Sequence, residues 1–224
     1  MTDPRIVSLL SEGPIPYPDA WERQRKLVAL RQQEKVPDTV LLLEHPPTVT
    51  YGKASDPSHR LLTPEEYAAR GIALIETDRG GDVTYHGPGQ LVCYPILHLG
   101  EGRRDLHRYV RALESVIIAA ARTLGVAGAE RAPWHAGVWV GDGYLAALGV
   151  KVSRWVTHHG FALNVSESVR DGFATIIPCG VAGKKIATLS SLAAREVSLS
   201  ETAEAITGVF TMTMDAYFER SNPL

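Results

Sequence analysis

Arg79-Gly-Gly-Asp-Val-Thr-Tyr-His-Gly-Pro-Gly-Gln90 is the stretch on which the reading of the fold turns. Gly80, Gly81, Gly87 and Gly89 crowd around Val83, Thr84 and Tyr85, with Pro88 between the last two glycines. Glycine lets backbone approach a ligand closely and take positive φ at little cost. Arg79 can pair with an anion, and Thr84, Tyr85 and His86 offer polar side chains. The same residues also read as a tight turn between two strands, with His86 at the bend. The spacing is not the dinucleotide-binding fingerprint, no long helix follows directly, and no Gly-Lys-Ser/Thr closes a phosphate loop.

On either side of this stretch the pattern is extended. Ile72 to Glu76 and Gln90 to Leu97 read as strands, the second carrying Cys93. Upstream, Thr63-Pro64-Glu65-Glu66 gives an N-cap, a first-turn proline and two acids near the positive end of a helix that runs to Arg70 and closes at Gly71. Thr39 to Leu43 is a short apolar run, a buried strand, and Pro46 and Pro47 open a loop after it. The prolines of residues 13–18 delay the first helix to Asp19–Arg31, with Trp21, Leu27, Val28 and Leu30 near one face.

Downstream, Asp105 caps a long helix on which Leu106, Tyr109, Val110, Leu113, Val116, Ile117, Ala120 and Leu124 recur at helical spacing before Gly125. Val138 to Val140, Tyr144 to Val152 and His159 to Val165 are strand candidates, with Gly141-Asp142-Gly143 a hairpin turn between the first two. Ser198 and Glu201 make a capping box for a last helix to about Phe218, with Ile206, Val209, Phe210 and Tyr217 inward. Helices and strands are mixed without strict alternation, many strands being hairpin-connected. The expectation is an α+β fold: one catalytic domain over residues 1–224, with a mixed, mostly antiparallel sheet flanked by helices.

The chain has 224 residues, 45% hydrophobic and 21% charged, long enough for a core without metal or disulfide staples. A formal net charge of −2 provides no basic field for nucleic acid or an anionic membrane. No apolar run reaches bilayer length, and Met1 to Leu10 lacks the apolar core of a signal peptide. The expected setting is cytoplasmic, with Cys93 and Cys179 as free thiols.

Three further segments carry chemistry. In Ile176-Ile177-Pro178-Cys179-Gly180, proline and glycine hold the cysteine on a defined turn with room around the sulfur. A thiolate needs a base or positive neighbour, and Lys184 and Lys185 follow. A buried structural cysteine is the plainer alternative, and the one that suits Cys93 in its apolar run. In Ala146-Ala-Leu-Gly-Val-Lys151-Val-Ser-Arg154, small residues leave a groove for an alkyl chain, and Lys151 is either functional or an edge lysine reaching water. In His158-His-Gly-Phe-Ala-Leu-Asn164, the paired histidines lack a third ligand at a recognisable spacing, which argues against zinc.

Taken in order, these segments resemble the lipoyl(octanoyl) transferase family. Arg79 to Gln90 matches its Arg-Gly-Gly-x-x-Thr-Tyr-His-Gly-Pro-Gly-Gln pattern without a gap, and Pro178-Cys179-Gly180, His159 to Asn164 and Glu44-His-Pro-Pro47 are similar to further family segments. The resemblance implies the fold shared with biotin and lipoate protein ligases, one mixed sheet with helices around it. It implies transfer of an octanoyl group from acyl carrier protein to a lysine of the lipoyl domains of 2-oxoacid dehydrogenase and glycine cleavage proteins, without ATP or metal. Cys179 would carry the acyl thioester. Arg79, Gly80, Gly81, Asp82, Val83, Thr84, Tyr85, His86, Ala147, Leu148, Gly149, His159, Gly160, Phe161 and Ala162 would line the acyl site. An ATP-dependent ligase and a non-catalytic relative are the rival readings.

One position departs from the family. Where it has the lysine that lowers the cysteine pKa, this chain has Tyr144. Lys151 is the nearest lysine, an odd seven positions away, so regular alternation puts the two on opposite faces unless a bulge, at Gly149 for instance, resets it. Lys151, His86, His159, Lys184 and Tyr144 itself are the candidates to assist Cys179.

Overall fold

The computed structural model describes residues 3–52, 55–132, 136–178, 183 and 185–219. The chain begins with β1 (Arg5–Ser8) and α1 (Tyr17–Gln32). The helix starts two residues before Asp19, because Pro18 sits in its first turn, where a missing N–H and a fixed φ cost nothing. Its buried face is Tyr17, Ala20, Gln24 and Val28, while Leu30 is 37% exposed.

β2 (Thr39–Leu43) is followed after Pro46-Pro47 by β3 (Thr48–Gly52), where a loop was expected. The prolines end one strand, and Thr48, Val49, Thr50 and Tyr51, β-branched or aromatic, begin another. α2 (Pro64–Ala69) has the complete capping box between Thr63 and Glu66. β4 (Ala73–Thr77), β5 (Thr84–His86) and β6 (Gln90–Ile96) follow. Then come α3 (Leu106–Thr123), β7 (Ala129–Arg131), β8 (Gly137–Val140), β9 (Gly143–Ser153) and β10 (Val156–Asn164). A short α4 (Arg170–Phe173), β11 (Lys185–Ile186), α5 (Leu189–Ala193) and α6 (Leu199–Glu219) complete the described chain. At the start of α6 the Glu201 N–H donates to Ser198 Oγ, but the Glu201 carboxylate is held by Arg195.

The strands form two sheets where one was expected. The larger runs β1-β2-β6-β10-β9-β8-β7, with β11 beside β9; all its pairs are antiparallel except β1 with β2 and β11 with β9. The smaller is β4-β3-β5, parallel on one side of β3 and antiparallel on the other. α3 and α6 pack with Val40, Leu42, Leu91, Leu145, Leu163 and their neighbours on one face of the large sheet. α1 covers the other face through Tyr17, Ala20 and Val28 against Val92, Tyr94 and Ala162. The β9–β10 turn is Arg154–Trp155, both with positive φ (47° and 63°), a hairpin without the usual Asn or Gly. Among the described residues no helix is long and apolar enough to cross a membrane.

Candidate functional site

The strand–turn–strand built on Arg79 to Gln90 and the middle of the β9–β10 hairpin enclose one cavity. Arg79, Gly81, Asp82, Val83, Thr84 and His86 line it from one side and Ala147, Leu148, Gly149, His159, Gly160, Phe161 and Ala162 from the other, with Tyr17, Val92 and Tyr94 between. It holds about 470 Å³ of empty space, open solvent at its mouth included. Gly80 and Tyr85, also expected in the lining, lie behind it. The Gly80 N–H donates to Val150 O (3.0 Å), and the Tyr85 ring packs edge-on against Phe173.

Small residues are required here. Ala147 pairs with Ala162, and Gly149 with Gly160, across the hairpin. A Cβ on Gly149 would stand 2.8 Å from Gly80 O and 3.0 Å from Arg79 Cδ, and one on Gly160 2.1 Å from Cys93 O. Cys93 itself is wholly buried and its thiol pKa is raised by that burial, which suits the structural role.

A polar group of neutral histidines lies at one end. His159 has φ 55°, rare for a non-glycine residue inside a strand. Its Nε2 donates to Asp78 Oδ1 (2.8 Å), so Nδ1 accepts from Tyr17 O–H (3.2 Å). His86 Nδ1 donates to Gln90 Oε1 (2.9 Å), and its Nε2 accepts from Thr50 Oγ1 (3.3 Å). His45, from the Glu44-His-Pro-Pro segment, donates from Nδ1 to Ile15 O (2.6 Å) and accepts at Nε2 from Tyr94 O–H (2.7 Å). Burial lowers all three pKa values, to about 4 for His45 and His159, and it pushes Tyr17 up to about 12. Arg79 is held by Thr50, donating to its carbonyl (2.7 Å) and hydroxyl oxygens.

β9 contains a bulge, though not at Gly149. The β9–β10 register is unbroken, while the β8–β9 register slips between Val138 and Trp139, leaving Leu145 without a partner. Leu145 and Ala146 both enter the main core, and Tyr144 joins Ala147 on the cavity face. Tyr144 and Lys151 therefore share a face. The strand still separates them by roughly 23 Å at about 3.3 Å per residue. Lys151 lies outside the cavity lining, with its Nζ 2.7 Å from Asp78 Oδ2. Asp78 also supplies the histidine pair with the third ligand that the local spacing lacked: Asp78, His158 and His159 can each offer one ligand atom within 4.8 Å of the others. Its two oxygens are taken by His159 and Lys151, and an ammonium at that distance opposes a bound cation.

Cys179, Gly180 and Lys184 lie outside the described residues. The segment leading to them is described. The Leu61 N–H donates to Thr175 O (3.1 Å), Arg60 bridges with Ile176, and the Ile177 N–H donates to His59 O (2.8 Å). Beside this pairing the His59 Nδ1–H donates to Asp82 Oδ2, while Asp82 Oδ1 is buried without a hydrogen-bond partner. Nothing local in Asp56-Pro-Ser-His59 marks this histidine; only the fold carries it to Asp82 of the glycine-rich stretch. On the far side, Lys185 pairs with Gly143 and Ile186 with Tyr144, and the Lys185 ammonium reaches Asp142 (3.1 Å).

Comparison with known proteins agrees with this geometry. Residues 16–211 match the lipoyl protein ligase A/B catalytic domain. An octanoyltransferase of Gloeobacter violaceus is 52% identical over 174 residues, 77% of this chain and 75% of that one. One from Chloroflexus aurantiacus is 46% identical over 87% of both chains. Among solved structures, a lipoate-protein ligase A bound with ATP superposes with a TM-score of 0.75 at 14% identity, covering 96% of this chain and 86% of that one. The Ta0514 protein of T. acidophilum, described as a candidate lipoate protein ligase, gives 0.71 at 14% identity with the same coverage. These two likenesses establish the lipoate-protein ligase fold. The match over residues 16–211 and the relatives at 46–52% identity establish more: the chain belongs to the lipoyl protein ligase A/B catalytic-domain family.

Proposed function

We propose that this chain is an octanoyltransferase of lipoate biosynthesis that takes an octanoyl group from acyl carrier protein, holds it as a thioester on Cys179 and passes it to a lysine of a lipoyl domain. The observation that carries the reading is that most of Arg79–His86, with Ala147–Gly149 and His159–Ala162, remote in sequence, line one cavity whose walls include the alanines and glycines of the β9–β10 hairpin. Small residues at those positions leave room for an alkyl chain. The Cys179 thiolate attacks the donor carbonyl, the carrier thiol leaves, and the acceptor amine then displaces Cys179. Thioester exchange is close to isoenergetic and amide formation is downhill, so neither ATP nor a metal is needed. The reading requires a reduced Cys179 and a cytoplasmic setting, where thiols stay reduced.

Intact-mass analysis after incubation with octanoyl-acyl carrier protein tests this. Wild type gains one octanoyl group and loses it to an added lipoyl domain without ATP, and Cys179→Ala gains none. Acylation of Cys179→Ala at the wild-type level, or transfer that starts only with ATP, overturns it.

A further inference from the structure

We propose that the hydrogen-bonded group of Tyr17, His159 and Asp78 is the end wall of the cavity and sets the length of acyl group the protein transfers. The proposal rests on the octanoyl-transfer reading and adds to it the reason that a longer acyl group is refused.

The cavity has a direction. Residues 78–82 run alongside β9 from its Lys151 end toward Ala147. The Lys151 ammonium meets Asp78 (2.7 Å), the Gly80 N–H donates to Val150 O (3.0 Å), and a Cβ on Gly81 would stand 3.8 Å from Leu148 O. Asp82 lies beyond, at the Ala147 end. The described residues on either side of the acyl-bearing segment attach at that same end. Ile177 is bonded to His59 and the His59 ring to Asp82, while Lys185 and Ile186 pair with Gly143 and Tyr144. The reacting end of the acyl group belongs there, and its methyl end points toward His159 and Asp78.

At the far end His159 is pinned. Its Nε2 donates to Asp78 Oδ1 (2.8 Å), its Nδ1 accepts from the Tyr17 hydroxyl (3.2 Å), and its backbone N–H donates to Gln24 Oε1 (2.7 Å). The rings of Trp21 and His158 lie against it, with centroids 5.9 and 4.8 Å away. A second space lies behind. Lys151 and His158 pair with each other two residues beyond Gly149 and Gly160, on the same face of the hairpin. With Asp78, Arg25, Val28 and Gln32 they line an open groove of about 590 Å³, solvent included. His159 lines the cavity and Asp78 lines the groove, so the hydrogen bond between them is a partition.

The lengths agree. From Ala147 to Val150, the partner of His159, is three residues, about 10 Å at roughly 3.3 Å per residue. The seven carbon–carbon bonds of an octanoyl group span about 8 Å at the roughly 1.2 Å per bond of an extended chain. The eleven of a dodecanoyl group need about 13 Å on the same scale and run into the ring. An apolar side chain could slide aside for it. Turning His159 aside breaks two side-chain hydrogen bonds of a buried ring, so this wall is stiff.

The test compares octanoyl- and dodecanoyl-acyl carrier protein as donors to a lipoyl domain, read as the ratio of their kcat/KM values. Wild type should favour octanoyl at least tenfold, and equal use of both donors overturns the proposal. His159→Gly removes the ring at a position where glycine takes a φ of 55° without strain. It should raise the dodecanoyl-to-octanoyl ratio at least tenfold. Asp78→Ala frees the ring from one side and should raise the ratio by less. A merely structural role lowers both donors together and leaves the ratio alone. A ratio unmoved in both variants therefore overturns the proposal, and if His159→Gly fails to fold, an unmoved Asp78→Ala ratio does so alone. An unmoved ratio beside normal octanoyl transfer by wild type sinks only the end wall. Wild type that transfers nothing from the carrier protein without ATP sinks the reading on which it rests.

Discussion

The Lys151 ammonium stands 2.7 Å from Asp78 Oδ2, and Asp78 Oδ1 receives the His159 ring at 2.8 Å. This pairing fixes the only lysine of β9 beside the hairpin end, away from the cavity. Lys151→Met should therefore leave single-turnover acyl transfer within about threefold of wild type. The pair is about a third exposed, so its loss should cost no more than about 1 kcal/mol. A hundredfold loss of transfer with normal melting would assign Lys151 to the chemistry.

Ala147 and Ala162 face one another across β9 and β10 within the cavity lining. Ala147→Leu fills the slot and should shift acceptance toward shorter acyl groups. Octanoyl transfer should fall at least tenfold while a shorter donor is spared. Equal losses for four-, six- and eight-carbon donors would show that Ala147 does not contact the chain.

Acid should loosen the fold in a defined window. His45, His86 and His159 are held neutral by burial, with pKa values near 4 for His45 and His159, against about 6.5 in an unfolded chain. Between those values the unfolded chain binds more protons, so their contribution is complete above about pH 6.5 and is lost as pH falls toward 4. Each adds a slope of about 1.4 kcal/mol per pH unit. Asp78 acts lower. Burial raises its pKa, but hydrogen bonds from Lys151 and His159 outweigh that and bring it to about 2, so its share persists above about pH 4 and drains below. A melting temperature flat from pH 6.5 to 4.5 would contradict the buried neutral histidines.

Glu114, wholly buried on α3, accepts from Arg111 (2.9 Å) and the Gly137 N–H (3.0 Å) and is ion-paired with Arg131 (3.3 Å). The two arginines are about a third exposed and can fall back on water. The double variant Arg111→Met/Arg131→Met strands a buried carboxylate and should cost about 3–5 kcal/mol. Glu114→Gln keeps the shape and should cost about 1–3 kcal/mol. Urea titration of both decides, and the reverse order would refute this account of the cluster.

Much of this was legible in the sequence, for local reasons. The Thr63–Glu66 box, the apolar face of α3 and the Gly141–Gly143 turn are signalled by neighbours within four residues, and each forms as expected. β3 was hidden behind Pro46-Pro47, and the Arg154–Trp155 turn has no glycine to announce it. The lining residues came from motifs, and most of them meet in one cavity. His59 and the partnership of Asp78 with Lys151 were not legible, because each joins positions that only the folded chain brings together.

The unpaired Leu145 has a bearing on how relatives of this chain are compared. It makes the count from Tyr144 to Ala147 odd while both occupy one face. Deleting it would exchange the sides of everything before it, and Ile186, registered on Tyr144, would have to follow or lose its pair. A gap placed in this strand is thus an inversion of inside and outside. Any alignment that asks what stands where Tyr144 does must keep this strand's length intact before it reads the letter.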